Sequence, residues 1–142
     1  MTQHRNIDEL RHAIIGCAIE VHQVLGPGFS ESVYQNSLAL ELSPKQLTCE
    51  QCIKLKVSYK GRNVGDFEAD MIVENRDLLQ LNALSTILPQ HEAQLVNYLR
   101  ARGIETGLLF NFGHQTLQVK ANLRNTALHP HHLVNLDPLV IL

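Results

Sequence analysis

The feature that most limits what this chain can fold into is a change of hydrophobic period near Thr48. Before it, Ile7, Leu10, Ile14, Cys17, Ala18, Val21 and Leu25 recur at three- and four-residue steps, one apolar stripe along a helix. After it, Ile53, Leu55, Val57 and Tyr59 alternate with Lys54, Lys56 and Ser58, the two-residue rhythm of a half-buried strand. Such a chain must lay its helices on a sheet. Asn6 followed by Glu9 predicts a capping box for the first helix, and Gly26-Pro27-Gly28 predicts its stop. A second helix is expected from Ser30 to Leu42, burying Val33, Leu38 and Leu42, with Pro44 closing it.

The remaining punctuation completes the order. Lys60-Gly61-Arg62-Asn63 reads as a hairpin turn and Phe67 to Val73 as the returning strand. Glu74-Asn75-Arg76-Asp77 reads as a polar turn, and Leu78 to Leu84 as a third strand. Pro89 opens a helix carried by Ala93, Val96 and Leu99, which Gly103 ends. Strands over Thr106 to Phe112 and Leu117 to Leu123 follow. The order α-α-β-β-β-α-β-β predicts one mixed α/β domain over residues 1–126, with 127–142 a tail that no pattern assigns.

Composition then removes whole classes of function. With 44% hydrophobic and 18% charged residues, the chain can build a core and is not disordered. No apolar stretch approaches the roughly 20 residues of a membrane span, and the polar start Met1-Thr2-Gln3-His4-Arg5-Asn6 does not resemble a secretory signal. Three cysteines without framework spacing predict a reducing, cytoplasmic setting. Twelve basic against fourteen acidic residues advertise no general grip on nucleic acid, which leaves room for a local basic groove.

Chemistry is expected around the hairpin. Asp70 sits in an apolar run, Ala69-Asp70-Met71-Ile72-Val73, where a buried carboxylate needs a metal, a cation or hydrogen-bond donors; on an edge strand it would simply face water. Gln80 and Asn82 are two apart in Leu78-Leu79-Gln80-Leu81-Asn82-Ala83-Leu84 and share one face, either the solvated side or the lining of a pocket.

Gly28-Phe29-Ser30-Glu31-Ser32-Val33-Tyr34 fits a Gly-x-x-Glu-x-x-Tyr signature, and the chain resembles the GxxExxY family of the PD-(D/E)XK nuclease superfamily. The resemblance also covers Ala18 to His22, Leu25 to Gly28, Tyr59-Lys60-Gly61, Ala69-Asp70, His91 to Leu99 and Gly107 to Gly113, in order, across about residues 7 to 125. It implies a restriction-endonuclease-like core, a central mixed sheet flanked by helices, with a Mg²⁺-dependent phosphodiester-cleaving site. In such sites an Asp on one strand meets a Glu-x-Lys on the next. Two carboxylates and the intervening carbonyl hold the metal, and the lysine orients or deprotonates the attacking water. Carried over, Asp70 matches the first acid, Glu31 the additional acid, Gln94 the helix glutamine, and Tyr34 a support for Glu31 or part of the lining. The metal ligands implied are Asp70, Glu31 and the Leu81 backbone carbonyl.

The pattern then breaks, because Gln80-Leu81-Asn82 stands where the family has Glu-x-Lys. An amide oxygen lacks the formal charge that holds a hard dication, and Asn82 neither takes a proton from water nor presents a cation. Removing a positioned acid or base costs about 10²- to 10⁴-fold. The expectation is a vestigial site at Glu31, Asp70, Gln80, Asn82 and Gln94, with Mg²⁺ weakly held or absent and a residual role in binding nucleic acid or a protein. Two alternatives stand beside it. One is an active nuclease with a relocated lysine, Lys54 or Lys56, which share a strand face. The other is an interaction protein that dimerises through the apolar tail at Leu133, Val134, Leu136 and Leu139 to Leu142.

Other signals read as structural. Cys49-x-x-Cys52 has zinc or redox spacing but no second pair, and His129, His131 and His132 lie in the unassigned tail. His91 and Glu92 at the start of the third helix are expected either to face the pocket or to serve helix-end polarity, Cys17 to be core, and Arg100, Arg102, Lys120 and Arg124 to form a solvated surface.

Overall fold

A computed structural model of the chain describes residues 6–124. The order of elements matches the expectation: α1 (Ile7–Leu25), α2 (Glu31–Leu42), a single 3₁₀ turn (Ser43–Lys45), β1 (Cys49–Tyr59), β2 (Arg62–Val73), β3 (Asp77–Asn82), α3 (Pro89–Arg102), β4 (Thr106–Asn111) and β5 (Gln118–Leu123). The strands lie in chain order in one five-stranded sheet. Every pairing is antiparallel except β3 with β4, which α3 connects as a crossover.

Two apolar layers sandwich that sheet. On one face Leu10, Ile14, Cys17 and Val21 of α1 and Tyr34, Leu38 and Leu42 of α2 pack on Leu79, Leu81, Leu108 and Phe110. On the other, Leu95, Tyr98 and Leu99 of α3 pack on Leu78, Leu109 and Ala69. Alternating residues of β3 and β4 thus serve opposite layers, which explains why both strands are buried end to end.

The helix ends are built as their sequences require. Asn6 Oδ1 accepts the Glu9 N–H at 2.8 Å and Asn6 Nδ2 returns a bond to Glu9 Oε1 at 3.0 Å. Gly26 ends α1 at φ 68°, a conformation that favours glycine. Gly113 is fixed by proximity, since a Cβ there would lie 2.3 Å from the Leu84 carbonyl oxygen.

Some boundaries and burials differ from the expectation. β1 begins at Cys49, as the change of period near Thr48 predicts, but it changes face midway. Cys49 packs with the α1–α2 layer, Ile53 and Leu55 with the α3 layer, and Cys52 between them has φ 55°. Within α2, Tyr34 and Gln35 are buried while Val33 is only partly so. Asp77 belongs to β3, fully buried, and not to a solvated turn. No helix among the described residues is long and apolar enough to cross a membrane. The tail beyond Arg124, with its histidines and leucines, lies outside the described residues.

Candidate functional site

Asp70 lies in β2 three residues before the strand ends. The β2–β3 ladder runs through Val73–Asp77, Ile72–Leu78 and Met71–Leu79, and Asp70 and Gln80 are the next residues along their strands beyond its last pair. There the side chain replaces the backbone as acceptor: Asp70 Oδ2 takes the Leu81 N–H at 2.7 Å. The Asp70 carbonyl, freed from the ladder, accepts Gln35 Nε2 at 3.0 Å, and the same amide reaches Cys52 Sγ at 3.4 Å. Asp70 is therefore neither a solvated edge residue nor a bare buried charge. Gln35 was not expected at the site; the signal in the sequence is its place on α2 one turn beyond Glu31, among apolar neighbours.

The electrostatics of this cluster are those of carboxylates short of cations. Burial raises Asp70 to about 6, the Leu81 hydrogen bond opposes the rise, and the negative charges of Glu31 and Glu68 add to it. Burial also raises Glu31, with the nearby His91 pulling it back. Tyr98 is raised by burial and by the charge of Asp70. Glu31, Asp70, His91 and Tyr98 thus influence one another, and α2, β2 and α3 meet at this corner of the sheet. His91 is held there by accepting the Leu88 N–H on Nδ1 at 2.9 Å, at the start of α3.

Gln80 and Asn82 share the parity of Leu78, so both face the α3 layer, and both are nearly buried. Gln80 Oε1 is buried without a hydrogen-bond partner. Gln94 stands on the exposed side of α3 and lines a groove beside the site. Tyr34 is wholly buried; its hydroxyl donates to the Gly26 carbonyl at 2.6 Å and accepts the Phe29 N–H at 3.2 Å. It therefore fixes the loop that delivers Glu31 and does not line the pocket. Its ring stacks on Phe112 at 4.6 Å.

The lysines are placed less favourably for the site. Lys54 pairs across the ladder with Glu68 and Lys56 with Asp66, and Leu55 between them is the residue turned into the α3 layer. Lys120 is on β5, where Nζ lies 3.6 Å from Glu92 Oε2. Glu92 is 2% exposed and its pKa is raised by burial, with Lys120 opposing, so it is a buried ion-pair partner and not the expected end-of-helix charge. Arg124 pairs with Glu105 at 2.5 Å.

A hard divalent ion needs several oxygen ligands with formal charge. The oxygens are right in kind: Asp70 keeps Oδ1, and the orphaned Gln80 Oε1 is an acceptor awaiting a donor or cation. They are short in charge and number, for among the described residues no three His, Cys, Asp or Glu side chains form a group able to hold a metal ion. The residues present do not fit a tightly held ion.

No curated protein matches the chain. Among solved structures, the crystal structure of SSO0001 is similar to it with a TM-score of 0.48 and 14% identity, over 87% of this chain and 81% of that one. Residues 8–125 match the profile of the PD-(D/E)XK nuclease superfamily, nearly the whole described length. The chain belongs to the PD-(D/E)XK nuclease superfamily.

Proposed function

We propose that this chain is a GxxExxY-type member of that superfamily whose nuclease centre has lost its catalytic groups, and that it acts by binding nucleic acid. The observation that carries this reading lies where the β2–β3 ladder ends: the Asp70 carboxylate, raised to about 6, accepts the Leu81 N–H, and the amide oxygen of Gln80, the residue before Leu81, is buried with no partner. With Glu at position 80, two carboxylates there would call for a dication; with Gln, one carboxylate satisfies itself on the Leu81 N–H. Asn82 supplies no ammonium beside a phosphate, and Lys54 and Lys56 stand opposite acidic partners on the ribbon. Loss of both the second acid and the lysine removes metal affinity and water activation together, and neither loss compensates the other.

The experiment is a nucleic-acid cleavage assay with Mg²⁺ or Mn²⁺, run beside the Gln80→Glu/Asn82→Lys double variant. The unaltered chain is expected to leave DNA and RNA intact while retaining them in a low-salt binding assay, and the double variant to gain metal-dependent thermal stabilisation. Robust cleavage by the unaltered chain, abolished by Asp70→Ala, would overturn the loss of catalysis. If Lys54→Ala or Lys56→Ala also abolished it, the cation would have moved to the ribbon.

A further inference from the structure

Beside the Asp70 corner, the β1–β2 ribbon and α3 enclose a groove of about 1080 Å³. Its walls are Lys56, Val57 and Ser58 on one side and the exposed face of α3 on the other, and Phe67 and Tyr98 border it with their rings stacked at 4.0 Å. Two of its residues belong to the electrostatic cluster already described: Tyr98 beside Asp70, and His91 beside Glu31. The groove therefore leads into the site.

Its chemistry runs against that of the chain as a whole. The protein carries a formal charge of −2, yet none of the residues lining the groove is acidic, and Lys56, whose cross-strand partner is Asp66, His91 and Arg100 are basic. Gln90, Gln94 and Asn97 follow one another at four- and three-residue steps along α3, about one per turn, and all three are exposed. An amide both donates and accepts, which is what the edge of an unpaired base requires. Cations for phosphates and amides for base edges thus lie in one trough.

The walls also decide between one strand and two. A duplex reads a helix by taking it into a major groove roughly 12 Å wide, and a helix with its side chains fills about 10–12 Å of that. Here the amide face of α3 is fenced by the ribbon, so helix and ribbon would have to enter the same groove together. A single strand can instead lie between them. We propose that this groove binds single-stranded nucleic acid, with Gln90, Gln94 and Asn97 addressing bases and Lys56 and Arg100 addressing phosphates. The proposal rests on the nucleic-acid reading above and assigns the form of nucleic acid that this surface takes.

The test uses the full chain and fluorescence anisotropy at low salt, with a labelled dT oligomer, a U oligomer and a mixed-sequence duplex of equal length. At least one single strand is expected to bind roughly tenfold or more tighter than the duplex. Gln90→Ala/Asn97→Ala, both exposed positions, is expected to weaken that binding by about tenfold, the scale of one lost base contact. Lys56→Glu/Arg100→Glu is expected to reduce the slope of log affinity against log salt by about 1.4, two phosphate contacts on a single strand. Equal or tighter duplex binding, or single-strand binding indifferent to both double variants, overturns the groove while leaving nucleic-acid binding in place. Failure to bind any nucleic acid overturns both readings. Displacement of the oligomer by polyglutamate at comparable charge concentration would make the groove an acidic-protein surface and overturn the assignment.

Discussion

Asp77 offers a direct test of how the interior is held. It opens β3 with no solvent exposure, and neither carboxylate oxygen has a hydrogen-bond partner. Arg11 is near enough to matter, but its Nη2 donates to Thr106 Oγ1 at 2.5 Å and its Nε is itself unpartnered. Burial pushes Asp77 from the ordinary 3.8 to about 7, against the attraction of Arg11 and Arg76. The folded protein then keeps a proton that the unfolded chain releases near pH 4, so the unfolded state binds fewer protons between those limits. Stability falls as pH rises through that window and levels off above about pH 7. At about 1.4 kcal/mol per pH unit the whole window is worth on the order of 4 kcal/mol, of which about 2–3 kcal/mol falls between pH 5 and pH 8. Asp77→Asn keeps the shape and removes the titration. Thermal melts of both proteins at pH 5 and pH 8 should show the variant's advantage growing by roughly 5–10 °C across that interval. A gap that does not change with pH, or a variant less stable at pH 8, would mean that Asp77 is ionised and paired, and would refute the reasoning.

Four further changes follow from contacts described above. Gly113→Ala forces a Cβ against the Leu84 carbonyl and the Ala83 backbone, and should cost about 2–3 kcal/mol in urea denaturation. Gly65→Ala, with nothing within 4 Å of its added Cβ, should stay within about 0.5 kcal/mol and serves as the control. Tyr34→Phe removes the hydroxyl that ties Gly26 to Phe29, at a cost of about 1 kcal/mol, and should speed hydrogen exchange of the Phe29 amide. Gln80→Glu adds a negative charge to those of Glu31 and Glu68 around Asp70 and should raise the Asp70 titration midpoint above about 6 in a carboxyl ¹³C NMR titration without metal; an unchanged midpoint would separate the two side chains.

The elements that carry their own local instructions are those the sequence makes plain. α1 has a cap, a stripe and a glycine stop within one contiguous segment, and the structure uses all three. The hairpin turn at Lys60-Gly61 and the proline start of α3 are equally local. What escapes local reading is decided by partners distant in the chain. Asp77 reads as part of a polar turn because nothing nearby announces that β4 and α1 will close over it. Glu92 reads as a helix-end acid because Lys120 lies two elements away. The site divides in the same manner: Asp70 stands out as one charge in an apolar strand, whereas Gln35 becomes visible only once α2 is laid beside β2.

Part of the family pattern also turns out to serve packing. Asn111 Oδ1 accepts both the Leu84 N–H at 2.8 Å and the Gly113 N–H at 3.1 Å, joining the ends of β3 and β4. Gly107 lies where a Cβ would press on Leu95 and Leu99 of α3. A motif match through Gly107 to Gly113 thus reports a shared fold and carries no information about whether phosphodiester chemistry survives.

β1 and β2 are 11 and 12 residues long, while β3, β4 and β5 have six each. The far end of this pair, around Tyr59 and Val64, has no third strand alongside it among the described residues, and two strands alone are marginally stable in water. That arm is consequently the place where opening fluctuations begin, well before the layers beneath α1 and α3 loosen. Since one bank of the trough beside α3 is made of this arm, that bank is anchored less firmly than the helix facing it.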